Sequence, residues 1–463
     1  MKKTRIFILG LFFFAAGCFN APGRAFLWAF EGDAGKETAV LLLSDIHFDP
    51  FADGAAEELE KTDISGWRAV LEDKKPGEFP GYREDTNYRL FLSAINEISG
   101  ISAEAGCAII CGDLICHNFE AKYRLSRGKR GSCASFAVKT MEFVSLMIKS
   151  AMPGKPVCFV MGNNDSDNGD YNIIPGGVML GSLAGYFDTV KADARAKADF
   201  QKGGYYKLPF PGLENNELIV LNDIFWLKRY KQTGAARQNP GRAEMQWLKN
   251  QLDAAALNGK KAFIAMHVPP GIDAYLASKD KNCKSDDGFL APGYNKEFFE
   301  IMKSHKAVVR NVLAGHTHFD DFRVFSEKGR PFMLASIIPS ISPGHGNNPA
   351  FEMAFLKSNG EIKDKAVYFF SEYGGKDDGA PAKWEREYTF CASYDCAGYD
   401  PVSLYRLAVS MNAGPDAMDK YLSFYTAGNP LLSLLLKQQG RIYGCALTSM
   451  DLEEYHSCAC VGN

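Results

Sequence analysis

The sequence lacks a long apolar run, a C-x-x-C pair and a strong net charge, and each absence excludes a class of protein. Its N-terminal apolar run, residues 6–16, is far shorter than the roughly 20 residues that span a bilayer. Without a C-x-x-C pair, the 12 cysteines lack the spacing of a structural zinc site. A formal net charge of -3 and a pI near 6.3 provide no basic field, so nucleic acid is not an expected partner.

The N-terminal run is typical of an export signal. Basic residues precede it, so residues 1–18 are predicted to be a signal peptide, and the protein is expected in the periplasm, on the outer surface or in the medium. The run ends in AAGC, which resembles a lipobox whose cysteine, Cys18, becomes a lipid anchor to the membrane. Ordinary cleavage beside Cys18 is the alternative, since Ala15 stands where leucine is usual. A buried N-terminal helix is disfavoured because the run has no polar face.

Most of the chain alternates between two kinds of segment. Its 463 residues, 46% of them hydrophobic, suffice for one large domain with an appendage or for two domains. Short β-rich runs alternate with helically spaced apolar stretches, which indicates an α/β fold with strands buried on both faces. Residues 375–463 are predicted to form a small helical, cysteine-containing subdomain. The predicted strands are TAVLLLSD, CAIICGD, PVCFVMGNND, ELIVLND, AFIAMH, VVRNVLAGH and FMLASI.

An exported protein meets an oxidising environment, in which some cysteines are expected to pair. Sequence separation permits bridges between Cys391 and Cys396 and between Cys445 and either Cys458 or Cys460, but it does not establish them. Three cysteines inside apolar runs are expected to be small buried hydrophobes: Cys107, Cys111 and Cys158. The sequence leaves two without a predicted role, Cys116 and Cys133.

Polar groups that bind metals end five of the predicted strands. Two pairs, Asp45 with His47 and His316 with His318, have i, i+2 spacing. In an extended backbone, side chains at this spacing point to the same side. Each motif alone has a structural alternative, such as a capping Asp or a satisfied loop histidine. Together, at the carboxyl ends of strands, they predict one site for two metal ions. The candidate ligands are Asp45, His47, Asp113, Asn163, His267, His316 and His318, and the nearby glycines that allow close backbone approach are Gly112, Gly162 and Gly315.

The order of these motifs resembles the calcineurin-like metallophosphoesterase superfamily. The superfamily pattern is D-x-H, G-D, G-N-H-[ED], H and G-H-x-H, and this chain has DIH, GD, GNND, AMH and GHTH. Within the superfamily, the chain is most similar to the acid sphingomyelinase-like phosphodiesterases. Three features carry this likeness: His117 in GDLICH, the stretch SISPGHGNNPAF and the cysteine-bearing tail. The likeness covers about residues 39 to 463. It implies a catalytic domain at residues 39–374, built as a metallophosphoesterase-type β-sandwich flanked by helices.

The resemblance implies a metal-dependent phosphoric ester hydrolase in which two divalent ions activate water for attack on phosphorus. One ion would be held by Asp45, His47, Asp113 and His318, and the other by Asp113, Asn163, His267 and His316. Zinc is the most expected metal, with iron or manganese as alternatives. Asn164 stands where the superfamily has histidine, and a neutral amide donates no full proton. His117 is therefore the expected general acid, and Asn164 is expected to hydrogen-bond the phosphate.

The expected substrate is a small phosphoester, a nucleotide or a lipid headgroup. Phosphodiester hydrolysis is the expected reaction, with phosphomonoesters and phosphoanhydrides as alternatives. Acid sphingomyelinase has a saposin-like module before its catalytic domain, whereas about twenty mature residues precede the first strand here, which favours a soluble substrate. The GNND form resembles endopolyphosphatase-like branches, so an enzyme of that kind is one alternative. The other is a metal-binding surface protein that lost catalysis with Asn164.

Three further features have two interpretations each. The basic stretch KYRLSRGKRGS, residues 122–132, is either a solvated loop or a source of cations for an anionic substrate. Asp165 is either a turn carboxylate or a group that orients a histidine. His345 either lines the site or is a loop histidine without a function.

Overall fold

The computed structural model describes residues 37–74, 77–128, 131–230, 239–279, 287–374 and 381–460. The strands are β1 (Thr38–Leu43), β2 (Ala105–Ile110), β3 (Val157–Phe159), β4 (Tyr206–Pro209), β5 (Asn216–Val220), β6 (Lys261–Ala265), β7 (Val309–Ala314), β8 (Asp321–Glu327), β9 (Arg330–Ile337), β10 (Ala350–Leu356), β11 (Ile362–Phe370) and β12 (Trp384–Thr389). They form two six-stranded sheets, in the orders β12-β11-β10-β1-β2-β3 and β4-β5-β6-β7-β9-β8.

Helices flank the two sheets. In chain order they are α1 (Ala56–Lys61), α2 (Trp67–Asp73), α3 (Tyr88–Ile101), α4 (Phe119–Arg127), α5 (Cys133–Ala151), α6 (Val178–Leu183), α7 (Asp188–Ala192), α8 (Ala194–Gly203), α9 (Pro240–Leu257), α10 (Ala274–Ala277), α11 (Pro292–Ser304), α12 (Phe390–Tyr394), α13 (Pro401–Ala413), α14 (Pro415–Tyr425), α15 (Pro430–Leu436), α16 (Gly440–Ala446) and α17 (Leu452–Ala459). Polar side chains cap the starts of several of them; for example, the Asn87 side chain accepts from the N–H of Leu90 at the start of α3.

The parallel strands are mostly apolar because both of their faces are covered. In the first sheet β1, β2 and β3 pair in parallel, and in the second sheet β5, β6, β7 and β9 do so. Buried residues of both sheets belong to one hydrophobic core. Such strands appear in a sequence as continuous apolar runs, and all seven predicted strands are present. The α/β prediction is confirmed, and the carboxyl ends of these parallel strands carry the candidate ligands.

The C-terminal part packs on the core through buried hydrogen bonds. Helices α13 to α17 agree with the predicted helical character, whereas β12 pairs with β11 and extends the first sheet. The Tyr421 hydroxyl donates to Asp321 at 2.6 Å, and the Tyr388 hydroxyl donates to Asp320. Both aspartates closely follow His318 in the chain, so these helices support the loop that carries two candidate ligands. The predicted boundary at residue 375 lies outside the described residues.

The cysteines are partly as predicted. Cys445 and Cys458 form a disulfide, one of the alternatives that the sequence left open. The bridge between Cys391 and Cys396 that the sequence permitted is not formed: both are free thiols, and the Cys391 thiol donates instead to the carbonyl oxygen of Lys363. The cysteines predicted to be buried hydrophobes are buried, and Cys116 is buried as well.

The predicted signal peptide, with Cys18, lies outside the described residues. Within the described part of the chain, none of the helices combines the length and the apolar character needed to span a membrane.

Candidate active site

The candidate ligands stand where strands end and the backbone turns sharply. Five of them have positive φ angles: Asp45 at 48°, His47 at 47°, Asp113 at 55°, His316 at 71° and His318 at 71°. Residues other than glycine rarely adopt this left-handed conformation, which costs about 1–3 kcal/mol each and is concentrated at functional sites. The i, i+2 pairs do enter one site, but through left-handed turns rather than through the extended backbone expected from the sequence.

Four ligand atoms converge in a first group. His47 Nε2 lies 3.1 Å from His318 Nε2, 3.5 Å from Asp113 Oδ2 and 3.7 Å from Asp45 Oδ1. His318 Nε2 lies 3.6 Å from Asp45 Oδ1. Bonds of about 2.0–2.2 Å to a tetrahedral ion separate the ligand atoms by about 3.3–3.6 Å. The four distances, 3.1 to 3.7 Å, are therefore close to the spacing of ligand atoms around a zinc-sized cation.

A second group shares Asp113 with the first. Asp113 Oδ2 lies 3.2 Å from His267 Nε2, which lies 3.0 Å from Asn163 Oδ1. His316 offers a nitrogen within 4.8 Å of ligand atoms of Asp113 and His267. One carboxylate between two groups is the arrangement that a bridging ligand requires. The structure thus brings all seven candidate ligands together, and their binding of metal stays a prediction.

Hydrogen bonds from Nδ1 of two candidate histidine ligands leave the Nε2 atom of each ring available to a metal ion. Nδ1–H of His267 donates to the carbonyl oxygen of Cys111 at 2.7 Å, and Nδ1–H of His47 donates to that of Ile115 at 3.1 Å. Each bond favours the tautomer whose Nε2 carries a lone pair. Asp45 Oδ1 is buried and has no hydrogen-bond partner among the described residues, and a cation would satisfy it. The residues present therefore fit two divalent ions.

The charges around Asp113 favour the ionised form of this shared carboxylate. Burial alone would raise the pKa of Asp113, but the charges and hydrogen bonds of its neighbours, His267 first, hold this pKa well below its ordinary value. Burial lowers the pKa of His47, but Asp45, Asp113 and Asp85 outweigh it and raise that pKa to about 9. The aspartates are thus ready to bind metal, whereas metal binding must release a proton from His47.

The loops that carry Asp113 and Asn163 pack closely against each other and are joined by hydrogen bonds. A β-carbon on Gly162 would lie 2.1 Å from Asp113 Oδ1, which explains the glycine at this position and confirms the predicted close approach. Asp165 accepts from the N–H groups of Leu114, Ile115 and Gly162 at 2.8, 3.3 and 2.9 Å. It therefore acts as a turn carboxylate that joins the Asp113 loop to the Asn163 loop.

His117 lies beside the first group. Its ring stacks on His47 with the centroids 3.9 Å apart, and it lines the open cleft over the ligands. One of its nitrogens is also close enough to His47 and His318 to join a metal group. The position suits the predicted general acid, and that role stays a prediction.

A carboxylate that the sequence analysis missed holds His117 in place. Nδ1–H of His117 donates to Asp85 Oδ1 at 2.6 Å. Lys122 Nζ donates to Asp85 Oδ2 at 2.6 Å and to Asp49 Oδ2 at 2.7 Å, which fixes Asp85 in turn. His117 Nε2 is thereby left as the nitrogen that is free to act in the cleft. Asp85 precedes His117 by 32 residues and belongs to no motif, so only the fold reveals the pair.

We expect Asp85→Asn to cost about 2 kcal/mol of stability at pH 7. Burial would raise the pKa of Asp85, but the hydrogen bond from His117 and the charges of His47 and Lys122 lower it from 3.8 to about 2. A lowered carboxyl pKa stabilises the fold above the unfolded-state value, so this contribution is complete above about pH 4 and is lost as the pH falls to about 2. Urea unfolding of the chelated proteins at pH 7 and at pH 3 measures the difference.

Asp49→Asn is the matched control, because it also removes a carboxylate from Lys122 but leaves the bond between Asp85 and His117 intact. A loss in Asp85→Asn that is equally large at both pH values contradicts the assignment, as does an equal loss in the control.

Asn164 and His345 both line the cleft. The backbone N–H and the side-chain Nδ2 of Asn164 donate to the two carboxylate oxygens of Asp113, at 2.8 and 2.7 Å. Asn164 thus orients the shared carboxylate, and its bond to phosphate stays a prediction. The His345 ring stacks on His318 with the centroids 3.9 Å apart, so His345 belongs to the site.

The basic stretch of residues 122–132 contributes little to the cleft. Arg124 pairs with Glu120 on the exposed face of α4, and Arg127 Nε donates to Glu60 at 2.6 Å in a largely buried pair. Residues 129–130 lie outside the described residues. The predicted loop is wrong for residues 122–127, which belong to α4, where Tyr123 and the Arg127 side chain are largely buried and Lys122 supports Asp85.

The chain is similar to several known phosphoesterases. A model of the calcineurin-like phosphoesterase family matches residues 38–320. The chain is 23% identical over 429 residues to the cyclic GMP-AMP phosphodiesterase of Mus musculus, which covers 90% of each chain. It is 23% identical over 434 residues to the acid sphingomyelinase-like phosphodiesterase 3b of Homo sapiens, which covers 90% of this chain and 89% of that one. A solved dimetal phosphatase from Danio rerio matches with a TM-score of 0.44 and 13% identity, over 71% of this chain and 95% of that one.

Proposed function

We propose that this chain, which belongs to the calcineurin-like phosphoesterase family, is an exported enzyme that hydrolyses phosphodiester bonds with two divalent metal ions. The family, its acid sphingomyelinase-like relatives and the class of metal-dependent phosphoester hydrolase are as predicted from the motif order. The observation that carries the proposal is the position of Asp113. Its Oδ2 lies 3.5 Å from His47 Nε2 and 3.2 Å from His267 Nε2, so one carboxylate serves both ligand groups.

The ligand set indicates the kind of metal. Imidazole nitrogens with carboxylate and amide oxygens suit zinc, iron and manganese, and the tetrahedral spacing of the first group favours zinc. When bound, two such ions lower the pKa of water and neutralise charge on the phosphoryl oxygens.

The chain's own residues supply orientation and a proton. Asp85 holds His117 so that Nε2 can donate a proton to the leaving oxygen of the ester. Asn164 holds both oxygens of Asp113 in place. The proposed reaction needs no serine or cysteine nucleophile, and the nearby Cys111 is fully buried.

The proposed substrate is a soluble phosphodiester, either a nucleotide or a phosphorylated lipid headgroup. The cleft has a volume of about 410 Å³ and is open to solvent, which suits a small molecule. The printed name of the Mus musculus relative, a cyclic GMP-AMP phosphodiesterase, supports a nucleotide. Phosphomonoesters and phosphoanhydrides are the alternatives, the latter in an endopolyphosphatase-like enzyme.

Hydrolysis of bis-p-nitrophenyl phosphate tests the proposal. The chelated protein should be inactive, and added zinc or manganese should restore turnover. The competing function, a metal-binding surface protein that lost catalysis with Asn164, predicts stoichiometric metal without turnover of any ester. A panel of nucleotides, sphingomyelin and polyphosphate then identifies the substrate class, and preference for sphingomyelin micelles would contradict the soluble substrate.

Export is proposed from the sequence of residues 1–18 alone. The mass of the mature N-terminus after expression in a bacterial host tests it. A lipid-modified Cys18 supports the anchored form and an unmodified cleaved terminus the secreted form, whereas an intact Met1 on the whole population contradicts export.

A further inference from the structure

The cleft extends beyond the candidate metal groups to an end that the proposed chemistry does not use. Tyr171, Lys228 and Arg229 line this part of the cleft. The Arg229 guanidinium lies over the Tyr171 ring, 5.3 Å from its centroid, and Arg229 Nη1 donates to the Tyr171 hydroxyl at 3.3 Å. A cation is therefore held at a defined place in the same cleft as the metal ligands.

Tyr171 is fixed to the metal site through its backbone. Its N–H donates to the carbonyl oxygen of Asn163, a candidate ligand, at 2.7 Å. Its φ angle is 64°, a left-handed conformation that is costly for a tyrosine and that tends to persist where function requires it. Because Arg229 stacks on this ring, its guanidinium is positioned relative to the metal groups.

Arg229 is also available to a ligand. Arg229 is exposed, and the hydrogen bond that its guanidinium makes among the described residues is the one to the Tyr171 hydroxyl. Lys228 lines the same cleft, as do two carboxylates, Asp170 and Asp273, of which Asp170 directly precedes Tyr171 in the chain. A guanidinium stacked on an aromatic ring presents a flat fork of N–H donors that matches a phosphate group.

We propose that Arg229, stacked on Tyr171, forms a subsite for a second phosphate group of the substrate. The inference rests on the proposed function and specifies its substrate class: phosphoesters or phosphoanhydrides that carry a further phosphate besides the one at the metal groups. Such a substrate spans the cleft, with the reacting phosphate at Asp113 and the other at Arg229.

Binding of nucleotides to the zinc-loaded protein, measured by calorimetry, tests the subsite without requiring turnover. The probes are thymidine 5′-monophosphate, thymidine 5′-diphosphate and thymidine 3′,5′-bisphosphate. We expect at least one of the two doubly phosphorylated probes to bind about 10- to 100-fold more tightly than the monophosphate. Arg229→Ala should remove that gain and leave monophosphate binding within about twofold, and Arg229→Lys should keep part of it because the charge remains.

Arg242→Ala is the matched control, because Arg242 also stacks on a tyrosine, 4.7 Å from the ring centroid of Tyr294, but outside the cleft. It should leave all three affinities unchanged. The subsite is refuted if neither doubly phosphorylated probe binds more tightly than the monophosphate, or if the gain survives in Arg229→Ala. Failure of the esterase assay with the binding gain intact would instead count against the proposed function.

Discussion

Asp113→Ala is expected to abolish the hydrolysis of every ester and to release both metal ions. Asp113 is the one candidate ligand shared by the two groups, and its side chain is buried against His47 and His267. Its loss leaves each group short of a carboxylate and leaves two buried imidazoles without their counter-charge. Since the ions supply several kcal/mol of transition-state stabilisation, turnover should fall by on the order of 10³-fold or more, independently of the leaving group.

Metal analysis by mass spectrometry and initial rates with bis-p-nitrophenyl phosphate check this expectation. Asp170→Asn is the control, because Asp170 lines the same cleft but belongs to neither ligand group. The control should keep its metal. Retention of two ions per chain in Asp113→Ala would show that this carboxylate is not a bridge.

The second large effect concerns proton delivery. His117→Ala should keep the metal content but lower turnover of esters with poor leaving groups by about 10² to 10⁴, the usual contribution of a general acid. The loss should shrink for esters with good leaving groups, because these depart without a proton. Rates for a series of aryl and alkyl esters, together with metal content, measure both parts.

Two further variants define the role of His117. His305→Ala removes another histidine that is hydrogen-bonded to an aspartate, Asp253, at 3.0 Å but lies outside the cleft, and it should change neither rate nor metal. Asn164→His restores the residue usual in the superfamily and should raise activity if proton delivery limits turnover. If His117→Ala loses metal, His117 is a ligand rather than an acid, and an unchanged rate for poor leaving groups would make it a bystander.

The sequence predicted the seven strands that pair in parallel but missed the five that pair only antiparallel, namely β4, β8, β10, β11 and β12. The parallel strands are covered on both faces and are mostly apolar. Three of the missed strands show a physical reason. The missed strands β8, β10 and β11 contain Arg323, Glu352 and Lys365, and these charges are buried in ion pairs. A charge inside a strand resembles a loop in the sequence, because the sequence does not show that the charge is neutralised, here by Asp321 in the same strand for Arg323 and across two paired strands for Glu352 and Lys365.

The convergence of the candidate ligands was predictable from the sequence, whereas the residues that support them were not. The candidate ligands follow strands directly and occur in ordered motifs, so pattern and position both identify them. Asp85 orients His117 from another segment, and Asp223 accepts from the N–H groups of His267 and Val268 at 2.9 and 3.0 Å. Neither aspartate has a spacing relative to its partner that local sequence could reveal, since only the chain's return to the same sheet edge brings them together.

Anomalous diffraction from crystals of the zinc-loaded protein tests the central claim, a dinuclear site at the strand ends, most directly. We expect two peaks about 3.5–4 Å apart on either side of Asp113, one beside His47 and His318 and the other beside Asn163 and His267. A single peak, or peaks that do not share Asp113, would contradict the account.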